Sequence, residues 1–489
     1  MGEPEKSPAS YVRRVYPLDA HELTEEQIAV AFAMTSRRPE PFDEIAKLIS
    51  QEKAADFHER WVLGYGHASV AEHAVLHLAV ENISRLACDT LEDNRLASYT
   101  EKSSRYQVMP PDYFYLPPEL DQQPELSALF RESCQGLFGA YRRLIEGSMD
   151  HLRRKYPRGE GEREPAYNLR LRRVATDSCR AVLPAATLTN VGVTANARVL
   201  EHAVSKLLSS GLAEERELGQ EILQAGQKIT PTLIKYAARN PYLAGVGEVQ
   251  RELAHRYASV GSGEAVCLPS SQEASVKLVH WDPQAEAKLA AALLFRYSAL
   301  SYEEIWRRVG DLGPEDRQAV FDRCLAGLGP HDAPVRELEM VDYTFEFLLD
   351  YGAYREFKRH RMQTYAPQPL TVAHGYRVPP LLVEAGLNPE FEEAMGLVEY
   401  AYPQLQQRSP LLAQYLVTHA HNRRVLSKLN LRECYHLFKL RTSDLAHFSI
   451  REPVLRAMKL AVETHPGLYR HLRLRDYPDW WPFARSADQ

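Results

Sequence analysis

The sequence predicts a helix-rich α+β protein, with α/β mixing inside each half, built as two tandem copies of one fold. Three observations carry this. Apolar residues recur at three- and four-residue steps over long stretches, a few short runs alternate, and four pairs of similar segments occur in the same order along the chain. At 489 residues, 45% hydrophobic and 25% charged, the chain is too long for one ordinary core and has the composition of a globular protein.

Taken in order, "AFAMTSRRPEPFDEI" (31–45) resembles "ALLFRYSALSYEEI" (292–305). The segment "EHAVLHLAVENISRLACDTLEDNRLASY" (72–99) reads as helical from its apolar spacing. "LEDNRLASYTEKSSRYQ" (91–107) answers "EFKRHRMQTYAPQPLT" (356–371), and the proline-led segments 114–144 and 376–405 match in turn. A charged stretch, "RRKYPRGEGEREPAYN" (153–168), belongs to the first half alone and reads as a solvated loop. "VTANARVLEHAVSKLL" (193–208) pairs with "LSKLNLRECYHLFKLR" (426–441). Glycine, serine and proline gather in 259–275, which places the junction there and gives copies at residues 1–262 and 263–489. "ASVKLVHW" (274–281) alternates like a strand, and 453–472 has helical spacing.

A net charge of −6 gives no reason to expect a polyanion as partner, so a basic cluster must serve a small local anion such as a phosphorylated ligand. The six cysteines lie far apart without a C-x-x-C pair, which argues against zinc ribbons and disulfide scaffolds and favours a reduced cytoplasm. No apolar signal core and no membrane-length apolar stretch stand in the sequence.

Locally, Asn430 with Glu433 three residues on forms a capping-box pattern, so a helix starts there. On it Asn430, Cys434, Leu437 and Arg441 share a line, while Arg432, His436 and Lys439 occupy another face. In 97–107, the hydroxyls of Ser98, Ser103 and Ser104 surround Glu101, Arg105 and Tyr106. That set can cradle a phosphate, with Glu101 accepting from a sugar or base, or it is an ordinary polar loop. Arg359, His360 and Arg361 are either a solvated helix end or an anion clamp. His73 and His77 beside Glu72 have two-ligand spacing for a helix, but the H-E-x-x-H order is missing and satisfied core histidines are the better reading; no metal is expected.

The ordered motifs resemble those of the flavin-dependent thymidylate synthases, twice over. The first copy has "GHASVAEH" (66–73), "DNRLASYTEKSSRY" (93–106), "CRAVLPAATLT" (179–189) and "NAR" (196–198); the second has the arginine–histidine–arginine motif at 359–361 and "NLRECYHLFKLR" (430–441). The resemblance implies a joint pocket for flavin adenine dinucleotide (FAD) and deoxyuridine monophosphate (dUMP). Methylenetetrahydrofolate donates the methylene to C5 of the uracil, and NADPH reduces the flavin. No protein nucleophile is expected, so the protein positions and stabilises. The implied cofactor residues are His67, Ser69, Arg359, His360, Arg361, Asn430, Arg432 and His436. The implied substrate residues are Ser98, Glu101, Ser103, Ser104, Arg105, Tyr106 and Arg180, with Arg441 at the reacting base.

Each copy keeps what the other has lost. The first replaces the leading arginine and histidine by Asp93 and Asn94 and carries Leu207 in place of the late arginine; the second has Ala366, Pro367, Pro369 and Thr371 in place of the asparagine, glutamate, serine and arginine, and Gln414 in place of Arg180. The family's glutamine before the arginine–histidine–arginine motif is Thr90 in one copy and Glu356 in the other. The expectation is one composite site per chain, methylating dUMP to dTMP, in a homodimer of tandem chains that imitates the family's tetramer. The alternative is an altered-substrate or non-catalytic flavin- or nucleotide-binding relative.

Overall fold

The computed structural model describes residues 16, 18, 22–35, 38, 40–64, 68–258 and 275–483. The expected junction at 262/263 and His67 lie outside the described residues. In chain order the first copy runs β1 (Val75–Ser84), α1 (Arg85–Leu91), β2 (Ala97–Glu101), α2 (Pro124–Lys155), α3 (Glu164–Cys179), β3 (Leu188–Asn196) and α4 (Ala197–Leu208). The second runs β4 (Ser275–Trp281), β5 (Asp342–Asp350), α5 (Tyr351–Phe357), β6 (Gln363–Pro367), α6 (Asn388–Arg408), β7 (Asn422–Asn430), α7 (Leu431–Arg441) and α8 (Phe448–Thr464).

The sheet orders, β1-β3-β2 and β4-β5-β7-β6, are the same arrangement with β4 added beside β5. β2 pairs antiparallel with β3 from Ala97↔Ala195 to Glu101↔Val191, and β6 with β7 from Gln363↔Leu429 to Pro367↔Val425. Pro367 is tolerated because β6 is an edge strand and ends there. The helices that follow strands begin on matching caps. Ser84 accepts from the Ala87 N–H and Asp350 from Ala353; Asn196 accepts from Val199 and Asn430 from Glu433.

The helical reading of 72–99 is wrong: the segment is strand, helix, strand. Leu76, Leu78 and Val80 also satisfy a two-residue period, and pairing with the distant β3 decides in favour of the strand. Asn82, at φ 58°, then breaks the extended run just before the Ser84 cap. His73 and His77 therefore do not share a helical face; His77 Nδ1 bonds Thr194 Oγ1. The charged stretch 153–168 spans the end of α2, an exposed turn and the start of α3, so only its middle is a loop. Half of the capping box forms, because the Glu433 carboxylate is drawn to His360. No helix among the described residues is long and apolar enough to cross a membrane.

The chain divides into two compact units that cut across the copies. The first holds the described residues up to Glu81, with Leu96–Glu101 and Asn190–Glu252. Val30, Ala31, Ile45 and Ile49 form a core there, and the buried Glu26 carboxylate is satisfied by the N–H groups of Thr232 and Leu233 at 2.8 and 3.2 Å.

The second unit holds Asn82–Arg95, Lys102–Thr189 and the described residues from Leu253 onward. Tyr343, Phe345, Phe347 and Leu349 alternate into its core with Phe438, Val454, Met458 and Ala461 of α7 and α8. Each buried phenylalanine contributes on the order of 2–3 kcal/mol. Parts of the two copies meet here about a local pseudo-two-fold. Ala185 N–H bonds Val417 O at 2.8 Å and His419 N–H bonds Leu183 O at 3.0 Å; Ala186 N–H bonds Tyr415 O and Ala420 N–H bonds Ala181 O. The segment after Arg180 thus pairs with its own counterpart after Gln414. Helix α2 packs on α6, where a Cβ at Gly136 would stand 2.6 Å from Leu397 Cδ1.

Candidate active site

Within the second unit, the last turn of α3, the turn after β2, the end of α5 and the end of α7 bring one set of charges together. Arg105 holds Asp177 with two bonds, Nε to Oδ1 at 2.8 Å and Nη2 to Oδ2 at 3.0 Å. Arg180, one turn beyond Asp177 and buried, reaches Glu356 Oε1 at 3.3 Å and Asp177 Oδ1 at 3.4 Å. Arg105 Nη1 lies 3.8 Å from the same Glu356 oxygen. Arg441 donates to Glu356 Oε2 at 3.2 Å. Three guanidinium groups, two from the first copy and one from the second, thus converge on one carboxylate.

Burial alone would raise the Glu356 carboxyl, but Arg180 and Arg105 first, then Arg441, hold it below the ordinary glutamate value. It is ionised at neutral pH. Burial lowers His360; its Nδ1–H donates to Glu433 Oε1 at 3.0 Å, leaving Nε2 to accept from Arg441 Nε–H at 3.0 Å. Burial, reinforced by Arg180, pushes His447 down to about 3, so it faces Asp177 Oδ1 at 3.5 Å as a neutral ring. The cavity beside Asp177, Arg180 and His447 offers ≈ 20 Å³, room for a water and not for a ligand. That cavity lies on the Asp177–Arg180–His447 side, whereas Arg105, Glu356 and Arg441 keep part of their surface open to solvent.

The expected residues distribute unevenly. Arg105, Arg180, Arg441 and His360 sit in the cluster. Ser103 accepts from the Arg105 N–H at 3.2 Å and shapes the turn, Ser104 is buried, and the exposed Tyr106 ring lies under Arg173 at 5.5 Å. Arg359 is half exposed, 3.9 Å from Glu92, and the exposed Arg361 donates to Arg95 O at 3.1 Å. His436 is exposed with its ring 5.4 Å from that of His360. Asn430 is committed to its cap, and Arg432 to Pro334 O and Glu339. Ser69, Ser98 and Glu101 belong to the first compact unit, not to the one that holds the cluster.

Asp177 and His447 are partners that sequence reasoning missed, and it placed Glu433 in the Asn430 cap rather than on His360. Asp177 left one signal, its position three residues before Arg180 on a helix. His447 left none.

A family model described as "Thymidylate synthase complementing protein" matches residues 18–232 and again 277–467. A UPF0159 protein of Chlamydia muridarum is 33% identical over 88% of this chain and 82% of its own length, and UPF0159 protein Ta1429 of Thermoplasma acidophilum is 27% identical over 88% and 91%. A flavin-dependent thymidylate synthase of Clostridium tetani is 29% identical over 82% of its own length but 43% of this chain, the proportion expected of a single copy. The chain therefore belongs to the thymidylate synthase complementing protein family and carries that family's domain twice in tandem.

Proposed function

We propose that the chain is a flavin-dependent pyrimidine methyltransferase of the thymidylate synthase type with one composite site, dUMP being the substrate the family suggests. The observation that carries this reading is the meeting of Arg105 and Arg180 from the first copy with Arg441 and the arginine–histidine–arginine segment from the second. The exposed cations Arg359 and Arg361, with His436 nearby, are a donor set suited to an anionic diphosphate. FAD would be held by those three residues and, when bound and reduced by NADPH, supplies the hydride. Methylenetetrahydrofolate is the one-carbon donor in this reading.

The chain's own part is electrostatic. Arg441 is fixed between Glu356 and neutral His360, so its guanidinium keeps one orientation without reorganising. Neutral His360 adds no charge of its own and passes the hold to Glu433. Pairing of two chains, to rebuild a four-domain assembly, belongs to the same proposal.

A second reading, a changed pyrimidine or binding without turnover, is favoured by Glu356, a carboxylate where the family has glutamine. The test is to incubate the purified full chain with FAD, NADPH, methylenetetrahydrofolate and dUMP. Flavin bands in the purified protein and dTMP formation are the expected result. Flavin binding without a methylated product would move the assignment to the second reading, and a chain that binds neither FAD nor a pyrimidine would refute both.

A further inference from the structure

The charge count at the cluster has a consequence for what the pocket accepts. Arg105, Arg180 and Arg441 face Asp177 and Glu356, and every one of the three guanidinium groups bonds a carboxylate within the protein. His360 and His447 add no charge, both lowered by burial. The inner set is left with a single surplus positive charge, and Glu433, bonded to neutral His360, offsets it. With an uncharged side chain at 356, the same three arginines would have surplus charge and open donors for an anion.

We propose that Glu356 is the charge-selecting residue of the composite site: its carboxylate takes the place of a phosphate among Arg105, Arg180 and Arg441, so that the resting site prefers an uncharged pyrimidine nucleoside to its 5′-monophosphate. This rests on the reading of the cluster as the pyrimidine pocket and, of the two readings above, selects the changed pyrimidine over dUMP. A phosphate dianion entering beside Glu356 meets like charge in a largely buried setting, where repulsion is poorly screened. To be bound it must displace the carboxylate, and Glu356 then loses three guanidinium partners at once. An uncharged nucleoside asks for neither.

The experiment measures equilibrium binding of inorganic phosphate, dUMP and deoxyuridine to the full chain and to Glu356→Gln at one pH and one salt concentration, with thermal unfolding to check the fold. In the unmodified chain, deoxyuridine is expected to bind about threefold or more tighter than dUMP, and Glu356→Gln to raise affinity for dUMP and for inorganic phosphate by about tenfold or more, leaving deoxyuridine within about twofold. Equal or tighter binding of dUMP in the unmodified chain overturns the proposal, and that comparison needs no variant. So does a folded Glu356→Gln chain with unchanged phosphate affinity. A gain in phosphate binding with no binding of either pyrimidine upholds the role of Glu356 and refutes the pyrimidine pocket; pyrimidine binding with no phosphate gain does the reverse.

Discussion

Arg105 and Arg180 and their counterparts Thr371 and Gln414 stand in matching backbone but in different company. Around the pseudo-two-fold of the second unit the main-chain bonds come in matched pairs: Arg85 and Leu86 donate to Thr187 and Ala185, and Tyr351 and Gly352 to His421 and His419. The side chains do not match. Opposite Arg180 stands Gln414, whose Oε1 accepts the Leu370 N–H at 3.0 Å, and opposite Arg105 stands Thr371, whose hydroxyl accepts from the Ala373 N–H. Asp93, at the position of Arg359, is taken up by the Tyr365 hydroxyl at 2.7 Å. One side presents its charges to one another; the other spends its polar groups on backbone N–H groups and a tyrosine hydroxyl. The difference teaches that the fold constrains both copies through the backbone, whereas the charged side chains have been kept on one side only.

The sharpest way to break this comparison is to remove the buried cation on each side. Arg180→Ala takes from Glu356 and Asp177 the most buried of the cations they share, Arg105 remaining, and is expected to lower unfolding free energy by about 2–3 kcal/mol. Gln414→Ala removes one hydrogen-bond acceptor and is expected to lower it by about 1 kcal/mol. Urea unfolding of the two variants measures both, and equal losses would show that the cluster carries no special burden.

A smaller contrast lies between the caps Ser84 and Asp350. Burial raises the Asp350 carboxyl to about 6 against an ordinary 3.8, although the Ala353 N–H and Arg377 favour its charge. The folded state therefore keeps this proton where the unfolded state has lost it. Stability contributed by Asp350 is fully present below the unfolded value, falls as pH rises from about 4 to about 6, and stays lower above that. Asp350→Asn keeps a capping oxygen and removes the titration, so it should stabilise the protein by roughly 2 kcal/mol at pH 8 and hardly at all at pH 4. Denaturation midpoints at the two pH values decide it; Ser84→Asn should show no such pH dependence.

The smallest effect is at the exposed cations. Arg359→Ala is expected to weaken FAD binding by about tenfold, and Asp93→Ala, its mirror, to leave it within about twofold. Fluorescence titration of flavin at fixed salt reads the difference, and equal losses would return Arg359 to a solvated helix end.

Whatever depended on neighbours a few residues apart was legible beforehand. The Asn430 cap acts over three residues, the α8 helix shows its own spacing, and the repeated order of segments survives because each copy folds its strand-to-helix corners in the same way. The complementary losses were likewise visible as residue types. Segment 72–99 was misread because two- and three-residue spacings coincide there, and the strand that settles the matter, β3, lies more than a hundred residues away.

The sequence by itself determined two copies, those of their elements that are marked by local caps and spacing, and which copy retained each arginine. Only the tertiary structure decided what those arginines hold. Arg105 finds Asp177 72 positions away, and Arg180 finds Glu356 176 positions away. Such pairings arise because a buried charge must meet its opposite wherever packing brings one within reach, and no local pattern of residues specifies which one that will be.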